Sequence, residues 1–107
     1  MTQRNEKVAN LLKELSAQFL AREDNKTSLI TITSTNVSPD LKRATVFMTV
    51  LPETKESEAL SFVKRKRGEL REHLKKNMTT KVIPFIDFDI DRGEKHRQKI
   101  DELLRNG

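Results

Sequence analysis

The side chains best placed to do chemistry in this 107-residue chain are cations, and they crowd one stretch. Lys64, Arg65, Lys66, Arg67, Arg71, Lys75, Lys76 and Lys81 face only Glu69 and Glu72 in the same segment, which gives it a charge of +6. The remaining residues, with 13 basic and 14 acidic side chains, come to −1, so the net +5 is carried by one strip. Acidic partners at helical i,i+4 spacing are mostly missing for Lys64 to Arg67, so the strip is not a self-neutralising lattice. A localised cationic surface is the electrostatic footprint of a polyanion partner. The bland alternative is a solvated helix face.

The carboxylates offer a second constellation. Asp87, Asp89 and Asp91 alternate, so extended backbone would align them on one side, where three carboxylates could hold a divalent ion and support RNA hydrolysis. They also imitate the opening of a calcium loop. That motif fails, because its sixth position is Arg92 with Gly93 one place late, and its twelfth is Gln98 rather than Glu. The structural alternative is a polar strand face that discourages edge pairing and supplies an N-cap to the last helix. His73 and His96 stand alone on expected helix surfaces, without cysteine or a second histidine nearby, and are assigned no catalytic or metal role. No phosphate-binding glycine loop or nucleophile elbow is present. Neither a metal, a cofactor nor a small-molecule substrate is expected.

The elements that must position these residues follow from periodicity. Val8, Leu11, Leu12, Leu15 and Phe19 recur every three or four residues, predicting an amphipathic helix over about 4–22. Ser28 to Val37 reads as a strand with Ile30 and Ile32 on one side and Thr31, Thr33 and Thr35 on a wet side. Ser38-Pro39-Asp40 breaks it. Ala44, Val46, Met48 and Val50 then alternate with Arg43, Thr45, Phe47 and Thr49, and this second strand should pair antiparallel with the first. Pro52 ends it. From about Ser57 the period is helical again through Leu60, Val63, Arg67, Leu70 and Leu74, with Gly68 marking a kink or a junction of two helices. A third strand is expected from Lys81 to Ile90 with Val82, Ile86, Phe88 and Ile90 inward, and Pro84 suggests an edge or a bulge. Ile100, Leu103 and Leu104 form a short closing helix. Phe62 should pack inward, while Phe47 and Phe85 should be exposed on strand faces. They fit no aromatic RNA-recognition pattern, so phosphate and shape contacts are expected to outweigh base stacking.

The bulk properties set bounds. At this length, and with 35% hydrophobic residues, one small core within a single domain over 1–107 is expected. Without cysteine there is no disulfide framework. No apolar run reaches the roughly 20 residues of a membrane span, and the start lacks a secretory pattern, so a cytoplasmic protein without a membrane partner is expected. Nothing suggests an obligate dimer, and a monomer is expected.

The run Val37-Ser38-Pro39-Asp40-Leu41-Lys42-Arg43-Ala44-Thr45-Val46-Phe47-Met48-Thr49-Val50-Leu51 resembles the central signature of the ribosome-binding factor A family. Arg4, Val8, Leu12 and Glu14-Leu15 are similar to its first helix, Arg67-Gly68-Glu69-Leu70-Arg71 to the segment after its kink, and Asp91, Ile100 and Leu103-Leu104 to its ending. The matches are colinear over nearly the whole chain. The resemblance implies an α+β, type II KH-like domain of order α-β-β-α-kink-α-β, with a three-stranded sheet and a short C-terminal helix. It also implies a non-catalytic factor that binds the free 30S subunit and assists late maturation and processing of 16S rRNA, notably in the cold. The family's kink has the form Ala-x-Gly. Here it is Lys66-Arg67-Gly68, with Lys where the family has Ala, so a charge contact from Lys66 is expected to replace a close approach of backbone to phosphate. On this reading Gly68 sets the angle between two helices. Lys64, Arg65, Lys66, Arg67 and Arg71 meet RNA phosphates there, Lys75, Lys76 and Lys81 extend the contact, and Lys42 and Arg43 contribute less. A metal-dependent nuclease using Asp87, Asp89 and Asp91, and a protein–protein adaptor docking through the threonine-rich strand face, are the competing readings.

Overall fold

The computed structural model describes residues 2–23, 28–80 and 82–106, with side chains described over 6–23, 28–80 and 82–105. The alternation from Arg43 to Leu51 builds the central strand, β2, because Ala44, Val46, Met48 and Val50 are all buried on one face. β1 (Leu29–Val37) pairs with it antiparallel, and β3 (Phe85–Ile90) lies on its other side in parallel. The order β1-β2-β3 leaves β1 and β3 as edges.

Parallel pairing of β2 with β3 requires a crossover. It runs through a single 3₁₀ turn (Glu53–Lys55), α2 (Glu56–Arg65) and α3 (Arg67–Asn77). α1 (Thr2–Arg22) packs on β1 and α3, while α2 packs on β2 and β3. Val8, Leu12, Leu15 and Phe19 of α1 meet Ala59, Val63, Leu70 and Leu74 of the crossover over the inward side chains of the sheet. This is the α-β-β-α-kink-α-β order of a KH-like α+β domain. α4 (Arg92–Asn106) follows β3 and touches β2, where Thr49 is buried.

Several expectations are corrected. β1 contains a bulge between Ile32 and Ser34, which turns the strand by one position. Thr35 therefore faces the helices rather than water, and its hydroxyl donates to the Ala9 carbonyl. β3 begins at Phe85 instead of Lys81, and Val82 is exposed, because Pro84 offers no N–H to a ladder. The break between the crossover helices falls at Lys66 (φ −88°, ψ 1°). Gly68 lies in the first turn of α3 without a positive φ, so the angle is set by the Lys66 backbone. The closing helix, α4, runs for 15 residues. It is held by Asp91, whose carboxylate accepts the Glu94 N–H at 3.0 Å, and by Lys95–Glu56 and Lys99–Glu53 pairs. Its Ile100, Leu103 and Leu104 stay exposed.

Candidate nucleic-acid interface

The α2–α3 elbow presents the basic strip. Lys64 and Arg65 occupy the last turn of α2, where a cation is favoured by the carbonyl end of the helix dipole and Glu56 and Glu58 balance the other end. Both are exposed, and among the described residues neither has an acidic partner. At the elbow the Lys66 N–H is shared between the Phe62 and Val63 carbonyls, and the Lys66 carbonyl accepts the Leu70 N–H, so the backbone bends without losing its bonds.

The Lys66 side chain is less available than its sequence neighbours suggest. Its ammonium lies 3.1 Å from Glu23 at the end of α1 and 3.5 Å from Glu69. The Glu23 carboxylate, with Glu69 beside it, holds the Lys66 pKa above its ordinary value, and the Lys66 hydrogen bond holds Glu23 below its own. Lys66 therefore ties α1 to the elbow.

Arg67 is also engaged. From the start of α3 it reaches round the free edge of β3, donating through Nε to the Ile86 carbonyl at 2.6 Å and through Nη2 to Asp87 at 3.2 Å. Its guanidinium lies 4.7 Å from the centre of the Phe85 ring. Arg71, one turn on, is exposed and donates to the Ile83 carbonyl at 3.5 Å. Gly68 lies between them at the surface, and a Cβ placed there meets no other side chain or element within 4 Å. Further along α3, Lys75 pairs with Glu72 at 3.3 Å. Lys76 is exposed and, among the described residues, has no acidic partner. Lys81 lies outside the described residues.

The fold brings Lys42 and Arg43 to the same corner. The turn before β2 is fixed by Ser38 and Asp40: the Arg43 N–H donates to the Ser38 hydroxyl and the Lys42 N–H to the Asp40 carboxylate, both at 3.0 Å. The Ser38 hydroxyl, then the Lys42 N–H, keeps the Asp40 pKa below its ordinary value. The Phe85 N–H donates to the Lys42 carbonyl at 2.8 Å, and Arg43 stands opposite Phe85 in register. The corner thus gathers Arg43, Lys42, Arg67 and Arg71 around the start of β3, while Lys75 and Lys76 sit further along α3. Sequence reasoning gives Lys42 and Arg43 a minor part and does not connect them to Phe85. Only the parallel β2–β3 register does so.

The three aspartates are occupied. Asp87 pairs with Arg67 and Asp89 with Arg92, each at 3.2 Å. Asp91 accepts the Thr33 hydroxyl at 2.6 Å and caps α4. Among the described residues no three His, Cys, Asp or Glu side chains gather as a metal site. The threonine face expected of an adaptor is broken by the β1 bulge, with Thr33 and Thr35 both spent on internal bonds. His73 is half-buried rather than on an open surface: its ring lies 5.9 Å from that of Phe19, and its Nε2 is buried without a partner. His96 is exposed on α4.

Comparison with known proteins identifies relatives over most of the chain. The family described as Ribosome-binding factor A matches residues 4–104. A ribosome-binding factor A of Coxiella burnetii (strain Dugway 5J108-111) is 31% identical over 106 residues, covering 97% of this chain and 89% of its own length. One from Natranaerobius thermophilus is 31% identical over 105 residues, covering 95% and 80%. The crystal structure of the Thermus thermophilus factor superposes with a TM-score of 0.76 at 20% identity, over 82% of this chain and 96% of that one. The solution structure of a Thermotoga maritima protein described as a putative ribosome binding factor A gives 0.71 at 25% identity, over 84% and 89%. Coordinates of the Thermus thermophilus factor fitted into a cryo-EM map of a 30S complex give 0.69 at 21% identity, over 78% and 91%. The chain belongs to the ribosome-binding factor A family.

Proposed function

We propose that this chain is a non-catalytic assembly factor that binds the free 30S subunit and contacts 16S rRNA through the α2–α3 elbow. The observation that carries this reading is the set of uncompensated cations. Lys64, Arg65, Arg71 and Lys76 are exposed and, among the described residues, lack acidic partners. Mutual repulsion of such charges is relieved by a polyanion. Family membership supports the ribosomal partner, and a relative has been placed in a 30S map. The bent helix pair offers phosphates a cationic edge, with Lys42 and Arg43 closing the corner. Specificity then rests on the folded shape of the RNA more than on base reading. Late maturation and processing of 16S rRNA, a stronger requirement in the cold, a cytoplasmic location and a monomeric single domain complete the reading.

The test is sedimentation of a cell extract on a sucrose gradient. The protein should travel with free 30S subunits and be absent from translating ribosomes. The elbow itself is probed by reversing two of its free charges. The double variant Lys64→Glu/Arg65→Glu should leave the subunit and stay at the top of the gradient, with its melting temperature close to that of the parent. A double variant that still sediments with 30S would overturn the elbow as the contact surface.

A further inference from the structure

The two edges of the sheet are finished differently. At β3 the Arg67 side chain donates to the Ile86 carbonyl, so that edge carries a cap. At β1, among the described residues, no group outside the sheet bonds to the main chain of Leu29 to Ile32. An edge strand of this kind presents a row of unpaired N–H and C=O groups. Charged residues and proline are the usual guards of such an edge, and Leu29 to Val37 contains neither. The bulge between Ile32 and Ser34 bends the second half of the strand and leaves Leu29 to Ile32 as the straight part. Beside that part a groove of about 400 Å³ opens toward α1, walled by Ala17, Leu20, Ala21, Glu23, Ile30 and Ile32. It exists because α1 offers the strand only the methyl groups of Ala17 and Ala21, both exposed, along this side. Ile30 and Ile32 are consequently only half-buried, and on the other sheet face Leu29 and its register partner Leu51 are 63% and 57% exposed.

We propose that the β1 edge accepts an added strand from a protein partner: an extended, non-acidic peptide tail with aliphatic side chains at alternate positions. The unpaired groups are main chain, and another extended backbone is what satisfies a row of them at strand spacing. Successive side chains of the incoming strand point to opposite faces. One set drops into the groove beside Ile30 and Ile32, and the other lies along Leu29. The one charged group in the described lining is the Glu23 carboxylate, so the groove offers nothing to a phosphate and repels an acidic tail. A second copy of this chain fits poorly. Its own Ile30 and Ile32 are packed against its own core and are not free to fill the groove. Pairing two such short straight stretches also falls well below the roughly 1,200 Å² of a stable interface. A free tail brings no helix of its own across that face, so its side chains are available to both sides of the sheet. This surface is a main-chain edge, distinct from the threonine face that the bulge interrupts.

The test titrates the synthetic peptide KVTVTVTK into the isotope-labelled full-length chain and reads amide hydrogen exchange by NMR. At a peptide concentration about ten times Kd, the outward amides between Leu29 and Ile32 should exchange about tenfold more slowly, while those from Lys64 to Gly68 stay as they were. The same peptide N-methylated at every valine and threonine lacks the donors a ladder needs and should give no protection. Ala21→Leu projects an isobutyl group into the groove from an exposed helix position. It should weaken the peptide roughly tenfold, the order expected for overfilling one packed position, with a melting temperature close to that of the parent. Equal binding of the N-methylated peptide would make the contact apolar adsorption and overturn the added strand. Protection of the same amides in the chain alone, with a dimer mass in sedimentation equilibrium, would give the edge to a second copy. Protection of them by a uridine octamer would give it to RNA. Each of these results overturns the proposal, as does an absence of protection at millimolar peptide or an Ala21→Leu chain that binds like the parent.

Discussion

At the scale of single residues, the cations are visible in the sequence and their partners are not. Counting charges from Lys64 to Lys81 locates the strip, but Glu23 and Asp87 reach Lys66 and Arg67 only after α1 and β3 have packed beside the crossover. Two residues that read as leading phosphate ligands thus serve first as ties within the fold. His73 shows the same limit. Helical spacing places it near the surface, and only the α1–α3 packing turns its ring against Phe19 and strands its Nε2. Burial, then the charges of Arg22 and Lys76, hold its pKa below the ordinary value of 6.5. A folded-state pKa below the unfolded one means that the unfolded chain binds the extra proton first. Stability should be full above about pH 6.5 and fall as the pH drops through that value. The slope cannot exceed about 1.4 kcal/mol per pH unit for one proton. Urea unfolding between about pH 7.5 and pH 5, a window that brackets the ordinary histidine pKa, should show the decline in the parent and a flatter profile in His73→Phe. Equal profiles would clear His73 of the effect.

At the scale of elements, legibility follows the strength of the period. Ala44, Val46, Met48 and Val50 are an unbroken alternation, and β2 is legible from sequence alone. β1 is legible but its bulge is not, because Thr33 continues the alternating pattern through the residue that interrupts the ladder. Val82 looks like part of β3, and the missing N–H of Pro84 decides otherwise. Sequence places the elbow at Gly68, since glycine is the one residue there with a visible backbone signature. The break is at Lys66, whose side chain says nothing about its φ and ψ. Gly68 is therefore an exposed residue in the first turn of a helix, where it lowers stability by at most the roughly 1 kcal/mol that a helix-interior glycine costs relative to alanine. Gly68→Ala meets open space and needs no positive φ. It should raise the urea-unfolding free energy by up to about 1 kcal/mol. A destabilised Gly68→Ala would restore Gly68 as the residue that sets the elbow.

At the scale of the whole molecule, the net charge of +5 matters less than where neutralisation has already occurred. Lys66, Arg67 and Lys75 spend their charge on Glu23, Glu69, Asp87 and Glu72, which among the described residues leaves Lys64, Arg65, Arg71 and Lys76 as the uncompensated set on the crossover helices. Counterion release depends on the phosphates that are newly neutralised, so with Lys42 and Arg43 added the salt dependence of binding should report about six contacts rather than the roughly ten that composition suggests. With roughly 0.7–0.9 ions released per phosphate, log affinity against log salt should have a slope of about −4 to −5.5. The paired residues supply an internal control. Lys75→Ala removes a cation already balanced by Glu72 and should leave the slope almost unchanged, whereas Lys76→Ala, one residue away, should reduce its magnitude by nearly one. The measurement is made on free 30S subunits between about 50 and 250 mM potassium chloride, where the screening is strong enough to move the affinity. Equal losses from both variants would mean that the ion pairs open on binding and that the full strip meets RNA. A slope near zero would mean that charge does not hold this protein to the subunit at all.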